Sequence, residues 1–189
     1  MAPDTKHGGS AWHQNRWSLA IWGTAAFLLL LPAVAMRYTS EVDWTAGDFV
    51  VMGVMLFLAC GAYELTARLT GNTAYRAATG IAIGTAFLTV WVNGAVGMLG
   101  SEDNPDNLLF GLVLLVGLVG AIVARFRPPG MARAMEAAAL VQAAMTVYAL
   151  VGGYREVVLH VGFFVIPWVA SAQLYRKATR EQAPAGTAD

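Results

Sequence analysis

Six long apolar runs, separated by short polar connections, account for most of this sequence. Each run has roughly the 20 mostly apolar residues that a helix needs to cross the hydrocarbon core of a bilayer. Only 13% of the residues are charged, whereas a soluble domain carries roughly 25%. The pattern therefore predicts an all-α, polytopic transmembrane helix bundle. Its six spans are predicted at 17–36, 46–69, 75–99, 105–126, 132–151 and 157–175.

The remaining residues are predicted to be polar tails, at 1–16 and 176–189, on either side of a single helical domain at 17–175. An alternative concerns the first span, because Ala33-Val34-Ala35 has the small-x-small pattern of a signal peptidase site. Cleavage there would remove residues 1–35 and leave five spans. The long polar segment before the run and the span-like length of the run both argue against cleavage.

Two composition features concern how the helices pack. The fifth run is rich in alanine and is expected to lie inside the bundle, because small residues let helices approach closely in lipid. The segment from Gly80 to Gly84 has the small-xxx-small spacing that is typical of such contacts.

The basic residues predict the orientation of the spans. Ten of the twelve Lys and Arg residues fall in the tails or in the second-to-third and fourth-to-fifth connections. Only Arg37 and Arg155 fall on the other side. By the positive-inside rule both termini are cytoplasmic, and an even number of spans agrees with this. We therefore expect a multi-pass protein of the bacterial inner membrane.

The opposite, outer side is acidic, and its most concentrated stretch is "SEDNPDN" at residues 101–107. Asn104 and Pro105 are typical of a helix start, as N-cap and first helical residue. Asp106 would then lie in the first turn, where the helix dipole favours a negative charge. A second helix start is predicted at "TAGD", residues 45–48, which resembles a capping box.

Glu102 and Asp103 lack this explanation, because they follow the C-terminal end of the third span, where the dipole disfavours carboxylates. Water, the two outer arginines or a divalent cation are the alternatives that would offset the cost. The spacing matches no defined metal motif. The weak candidate metal ligands on this face are Glu102, Asp103, Asp106, Glu156 and His160.

Polar side chains within the spans are costly in a membrane and are often functional. Glu64 precedes Arg68 by one turn, so the two can form an ion pair on one helix face; the alternative is a carboxylate that carries protons or cations. Asn93, placed near the middle of the third span, needs a partner in hydrocarbon, and Gln142 of the fifth span is the natural candidate.

The sixth span carries a histidine and a proline. Glu156 precedes His160 by four residues and can orient it. His160 is the only histidine in any span, which excludes a haem bound between two spanning histidines. Pro167 is expected to bend the span and to free a backbone carbonyl for a neighbour to satisfy.

Three classes of function follow. Signatures for nucleotide binding, zinc hydrolysis, serine hydrolysis and thiol redox chemistry are absent from the sequence, so we expect no catalytic residues and no cofactor. A non-enzymatic accessory or structural membrane protein is favoured, with lipid, other membrane subunits or further copies of itself as partners and no nucleic acid. The alternatives are a small proton or cation transporter that uses Glu64, Asn93 and the outer acids, and a membrane enzyme with an outer site around His160.

One segment also resembles known proteins. From "WVNGAVGMLGSEDNPDN" to "VARFRPPGMARAM", residues 91–135, the chain is similar to a family of small, uncharacterised bacterial inner-membrane proteins. The resemblance extends over about the middle half of the chain, from "DWTAGDF" to "TVYAL". It implies a location in the inner membrane and implies nothing about a mechanism.

Overall fold

The computed structural model describes the backbone of residues 9–183 and the side chains of residues 17–183. Within that range all regular structure is helical, and six helical stretches are long and apolar enough to cross a membrane. The prediction of an all-α chain with six membrane-length helices is confirmed at this level. The α-helices are α1 (Gly9–Ala35), α2 (Ala46–Leu69), α3 (Thr73–Ala95), α4 (Phe110–Val123), α5 (Pro128–Val151), α6 (Val158–Phe163) and α7 (Val165–Gln182).

The chain divides into two compact units, Met1–Leu65 and Thr66–Asp189. The first unit contains α1 and most of α2. The indole ring of Trp22 on α1 packs against the ring of Phe57 on α2, with ring centroids 5.6 Å apart. Helix α2 begins with the predicted capping box. Asp48 Oδ2 accepts a hydrogen bond of 2.7 Å from the Thr45 backbone N–H, and Asp48 N–H donates to Thr45 Oγ1 at 3.4 Å.

In the second unit α5 is the central helix and packs against α4, α6 and α7, while α7 also packs against α3. Of the six membrane-length stretches, that of α5 has the largest buried share. The expectation that the alanine-rich helix lies inside is therefore confirmed for this unit. Its fully or almost fully buried alanines are Ala132, Ala134, Ala138, Ala139 and Ala149.

Helices α4 and α5 approach each other closely at Gly120. A Cβ atom added there would lie 2.6 Å from the Cβ of Ala134, far inside van der Waals contact. The glycine is therefore required by packing. The close helix contact predicted at Gly80–Gly84 is not present at Gly84, because a Cβ added there would meet no atom within 4 Å.

Several helix ends differ from the predicted ones. Helix α3 ends at Ala95, four residues before the predicted end. Gly97 has a positive φ of 71°, which is incompatible with a right-handed helix. Helix α5 begins at Pro128, four residues early, since proline suits the first turn, where its missing N–H leaves nothing unpaired. Helix α1 extends back to Gly9 and α7 forward to Gln182, so parts of both predicted polar tails are helical.

The predicted fourth and sixth spans are not single α-helices. A 3₁₀ turn at Pro105–Leu109 precedes α4. The sixth stretch consists of a 3₁₀ turn at Arg155–Val157, then α6 and α7, with the interruption at Phe164. The interruption lies three residues before Pro167, which agrees with the expected distortion by a proline ring.

Candidate functional site

The predicted acidic site is an ordered loop, and two asparagines and a glycine determine its shape. At Gly97 an added Cβ would lie 2.2 Å from the carbonyl oxygen of Ser101, so no side chain fits there. Asn107 closes the loop from within: its Oδ1 accepts from Leu99 N–H at 2.8 Å and its Nδ2 donates to the Ser101 carbonyl at 2.7 Å. Asn107 is buried. This role was not predicted from the sequence.

Asn104 caps the helical turn that follows the loop. Its Oδ1 accepts a hydrogen bond of 3.0 Å from the backbone N–H of Asp106, and Pro105 occupies the first turn. The predicted N-cap is therefore confirmed, although it caps a 3₁₀ turn rather than an α-helix. The same side chain donates through Nδ2 to the Leu99 carbonyl at 2.6 Å and to the Tyr154 hydroxyl at 3.0 Å.

Asp106 lies in the first turn, as predicted, and also accepts hydrogen bonds from two tyrosines. The hydroxyl of Tyr148, at the end of α5, donates to its Oδ2 at 2.8 Å, and the hydroxyl of Tyr154 donates to the same oxygen at 3.2 Å. The carboxylate thus joins the start of the fourth span to the connection between the fifth and sixth. Tyrosines at span ends are common at membrane interfaces, and this signal was available in the sequence.

Glu102 and Asp103 are exposed, and neither makes a hydrogen bond or ion pair within residues 66–183. Of the three alternatives, exposure to water agrees best with these surroundings. Across residues 17–183, no group of three or more His, Cys, Asp and Glu side chains is arranged to hold a metal ion. The outer carboxylates that the sequence singled out are not assembled into one cluster.

Within residues 66–183 no hydrogen bond or ion pair joins Glu156 to His160, so the structure does not show the orienting contact that the spacing suggested. Glu156 lies in the 3₁₀ turn Arg155–Val157, whereas His160 lies in α6, so the four-residue spacing does not place them on one α-helical face. His160 instead lines an apolar cavity of about 490 Å³. Among its other lining residues are Val92, Val96, Met98, Phe163 and Phe164.

Glu64 is held by two side chains of α1. Ser18 Oγ donates to its Oε1 at 2.8 Å, and the indole N–H of Trp22 donates to its Oε2 at 2.6 Å. Both carboxylate oxygens therefore contact the neighbouring helix of the first unit. The sequence suggested only Arg68 as a partner, because a helical spacing can be read from one chain segment, whereas a contact between α1 and α2 cannot.

Asn93 and Gln142 do not bond to each other. Asn93 lies in the last turn of α3, not near mid-span, and its Nδ2 donates to the Thr89 carbonyl at 3.0 Å and to Met98 Sδ at 3.3 Å. Gln142, fully buried, donates through Nε2 to the Val161 carbonyl at 2.9 Å. The predicted pair is wrong because the early end of α3 gives Asn93 local partners.

The Gln142 bond lies close to the interruption of the sixth stretch. It does not involve the carbonyl of Phe163, which is the one that Pro167, four residues later, leaves without its helical donor. Val161 lies in α6, just before the interruption at Phe164, so a neighbouring helix supplies a donor to a backbone carbonyl near the distorted part of the sixth span. Gln142 Oε1 is buried without a hydrogen-bond partner in residues 17–183.

Other polar side chains that tie helices together were not predicted. The hydroxyls of Thr79 on α3 and Tyr175 on α7 share a hydrogen bond of 2.8 Å, and Ser171 Oγ donates to the Ala78 carbonyl at 2.8 Å. Both contacts are buried and join α3 to α7. Glu136 of α5 was also missed. Its Oε1 lies 2.7 Å from Arg176 Nη2 of α7.

Comparison with known proteins adds no relative to this description. No protein-family model matches the sequence. Searches of the curated proteins and of the solved structures return no match either.

Proposed function

We propose that this chain is a multi-pass protein of the bacterial inner membrane that acts as a non-enzymatic accessory or structural component. Six membrane-length apolar helices support the membrane location. The distribution of Lys and Arg supports cytoplasmic termini. The resemblance of residues 91–135 to small inner-membrane proteins points to the same compartment. Its partners would be lipid and other membrane subunits or further copies of the chain.

The observation that carries the structural role is the use of polar side chains in helix contacts. Glu64 accepts from Ser18 and Trp22 of α1, and Gln142 donates to the backbone of α6. Asn93 bonds within its own helix end. Polar groups in lipid stabilise helix association when they find such partners. A transporter would instead need these groups to be available to its cargo.

Cysteine labelling tests the proposed topology. In a Cys60→Ser background we expect Asp103→Cys to react from the periplasmic side, and Gly71→Cys and Arg127→Cys to react only from the cytoplasm. These positions avoid structural damage, since Asp103 and Arg127 are exposed and a Cβ at Gly71 meets no atom within 4 Å. Cytoplasmic labelling of Asp103→Cys would rule out the six-span arrangement with cytoplasmic termini.

Replacement of Glu64 separates the structural role from transport. Glu64→Gln should lower the melting temperature in detergent, because one of the two donors on α1 then faces an amide NH₂ group. Glu41→Gln, at an exposed acid of the same unit, is the matched control and should change nothing. Proton and cation flux into liposomes should be the same for all three proteins. If Glu64→Gln instead removes a flux and leaves the melting temperature unchanged, the transporter alternative replaces our proposal.

A further inference from the structure

A basic pocket of about 460 Å³ lies between the first turns of α5 and the last turns of α7. It shares no lining residue with the outer loop or with the cavity at His160, and it was not predicted from the sequence. The polar residues that line it are Arg133, Glu136, Gln173, Arg176, Thr179 and Arg180.

The charges of the pocket do not balance. Arg176 is paired with Glu136, with Nη2 and Oε1 2.7 Å apart. Arg133 and Arg180 make no ion pair within residues 66–183, which leaves a surplus of two positive charges. Arg176 and Arg180 are also four residues apart on one helix, a spacing at which like charges repel. A bound anion would relieve this repulsion.

The donor groups suit a phosphate. A guanidinium presents a planar set of N–H donors that matches two phosphate oxygens at once, so arginine is preferred where phosphates are recognised. Gln173 is exposed on the same wall, and its amide adds a neutral donor. Three arginines from two facing helices can contact one phosphate from different sides, which a single surface arginine cannot do.

The position of the pocket indicates which kind of molecule would carry the phosphate. Helix α5 begins and α7 ends at this pocket, so it lies where two membrane-length stretches terminate. In the topology proposed above, on which this step rests, that end faces the cytoplasm. Basic pockets between spans on that side bind the headgroups of anionic lipids. We infer that Arg133, Arg176 and Arg180 form a binding site for the phosphodiester headgroup of an anionic phospholipid.

The test compares two double variants that each lose two positive charges at the same end of the molecule. Arg133→Gln/Arg180→Gln removes the two unpaired pocket arginines. Arg127→Gln/Lys177→Gln, the control, removes two charges that do not line the pocket. The full-length chain in neutral detergent is titrated with phosphatidylglycerol, phosphatidylcholine or inorganic phosphate. Melting temperature is measured, and bound lipid is counted by native mass spectrometry.

Phosphatidylglycerol should raise the wild-type melting temperature saturably, as expected for a ligand of the folded state, and phosphatidylcholine should not. The pocket variant should bind phosphatidylglycerol about tenfold more weakly or worse, since it loses charge-assisted hydrogen bonds. The control variant should retain the wild-type response. If the pocket variant does not fold, the exposed single change Arg180→Gln provides the same comparison against Lys177→Gln.

Three results would overturn the inference. A wild-type protein without a saturable response has no such site. An equal loss in both double variants indicates general attraction to the basic surface. A response to inorganic phosphate as strong as that to the lipid refutes the lipid assignment. If cysteine labelling supports the six-span topology while any of these occurs, the lipid site fails and the proposed membrane role does not.

Discussion

The side-chain amide of Asn104 donates a hydrogen bond of 3.0 Å to the hydroxyl oxygen of Tyr154, fifty residues later in the chain. Asn104 caps the first turn of the fourth span. Tyr154 precedes the 3₁₀ turn that begins the sixth. The bond therefore joins two connections on one side of the second unit, and its contribution to stability can be measured.

Asn104→Ala should lower the free energy of unfolding by about 0.5–2 kcal/mol, because the backbone N–H of Asp106 loses its acceptor. Tyr154→Phe should also lower the melting temperature, since the phenol both accepts from Asn104 and donates to Asp106. The double variant should lose less than the sum of the two, as expected for residues in one network. Tyr38→Phe, at a residue that is 87% exposed, is the control and should be neutral. Full additivity would contradict the contact.

The close approach of α4 and α5 predicts opposite outcomes for two glycines of one helix. Gly120→Ala should destabilise by about 1–3 kcal/mol, because its Cβ collides with Ala134 and the helices must move apart. Gly111→Ala meets no atom within 4 Å and should be neutral or slightly stabilising, since alanine has the higher helix propensity. Thermal unfolding in detergent measures both. Equal effects at the two positions would mean that the helices are not in contact at Gly120.

The separate partners of Asn93 and Gln142 predict that the two residues act independently. Asn93→Ala and Gln142→Leu should each lower stability, because each removes a hydrogen bond to a backbone carbonyl. Their effects should add to within about 0.5 kcal/mol. A larger coupling energy in the double variant would restore the direct pair that the sequence alone suggested.

Exposure of Glu102 and Asp103 predicts that they contribute little to folding. Glu102→Gln/Asp103→Asn should be close to neutral, because both side chains are exposed and make no hydrogen bond or ion pair within residues 66–183. Millimolar Ca²⁺ or Mg²⁺ should leave the wild-type melting temperature unchanged. A saturable rise that disappears in the double variant would instead establish a cation site on this face.

The sequence was sufficient for features that depend on neighbouring residues or on long apolar runs. The six membrane-length stretches, the capping box of Thr45 and Asp48 and the cap at Asn104 all arise from local chemistry. Helix bounds were less accurate. The end of α3 depends on the positive φ at Gly97, and the glycine alone does not reveal that conformation.

Contacts between distant segments were largely missed. Two partners of Glu64 lie 42 and 46 residues away, and the two tyrosine partners of Asp106 lie 42 and 48 residues away. A spacing rule finds only partners one or two turns along the same helix. Arg68 was therefore predicted as the partner of Glu64, and Glu156 as the partner of His160. The basic pocket was missed for the same reason, since its arginines come from the beginning of α5 and the end of α7.

The loop at residues 97–107 also carries a consequence for sequence divergence. Its conspicuous residues are the acids at 102 and 103, yet its shape depends on a bare backbone at Gly97 and on the amide of Asn107. Under selection for a folded protein alone, the acids should drift freely while the glycine and the asparagine stay fixed. A library randomised across this loop and sorted for folded protein would reveal that pattern.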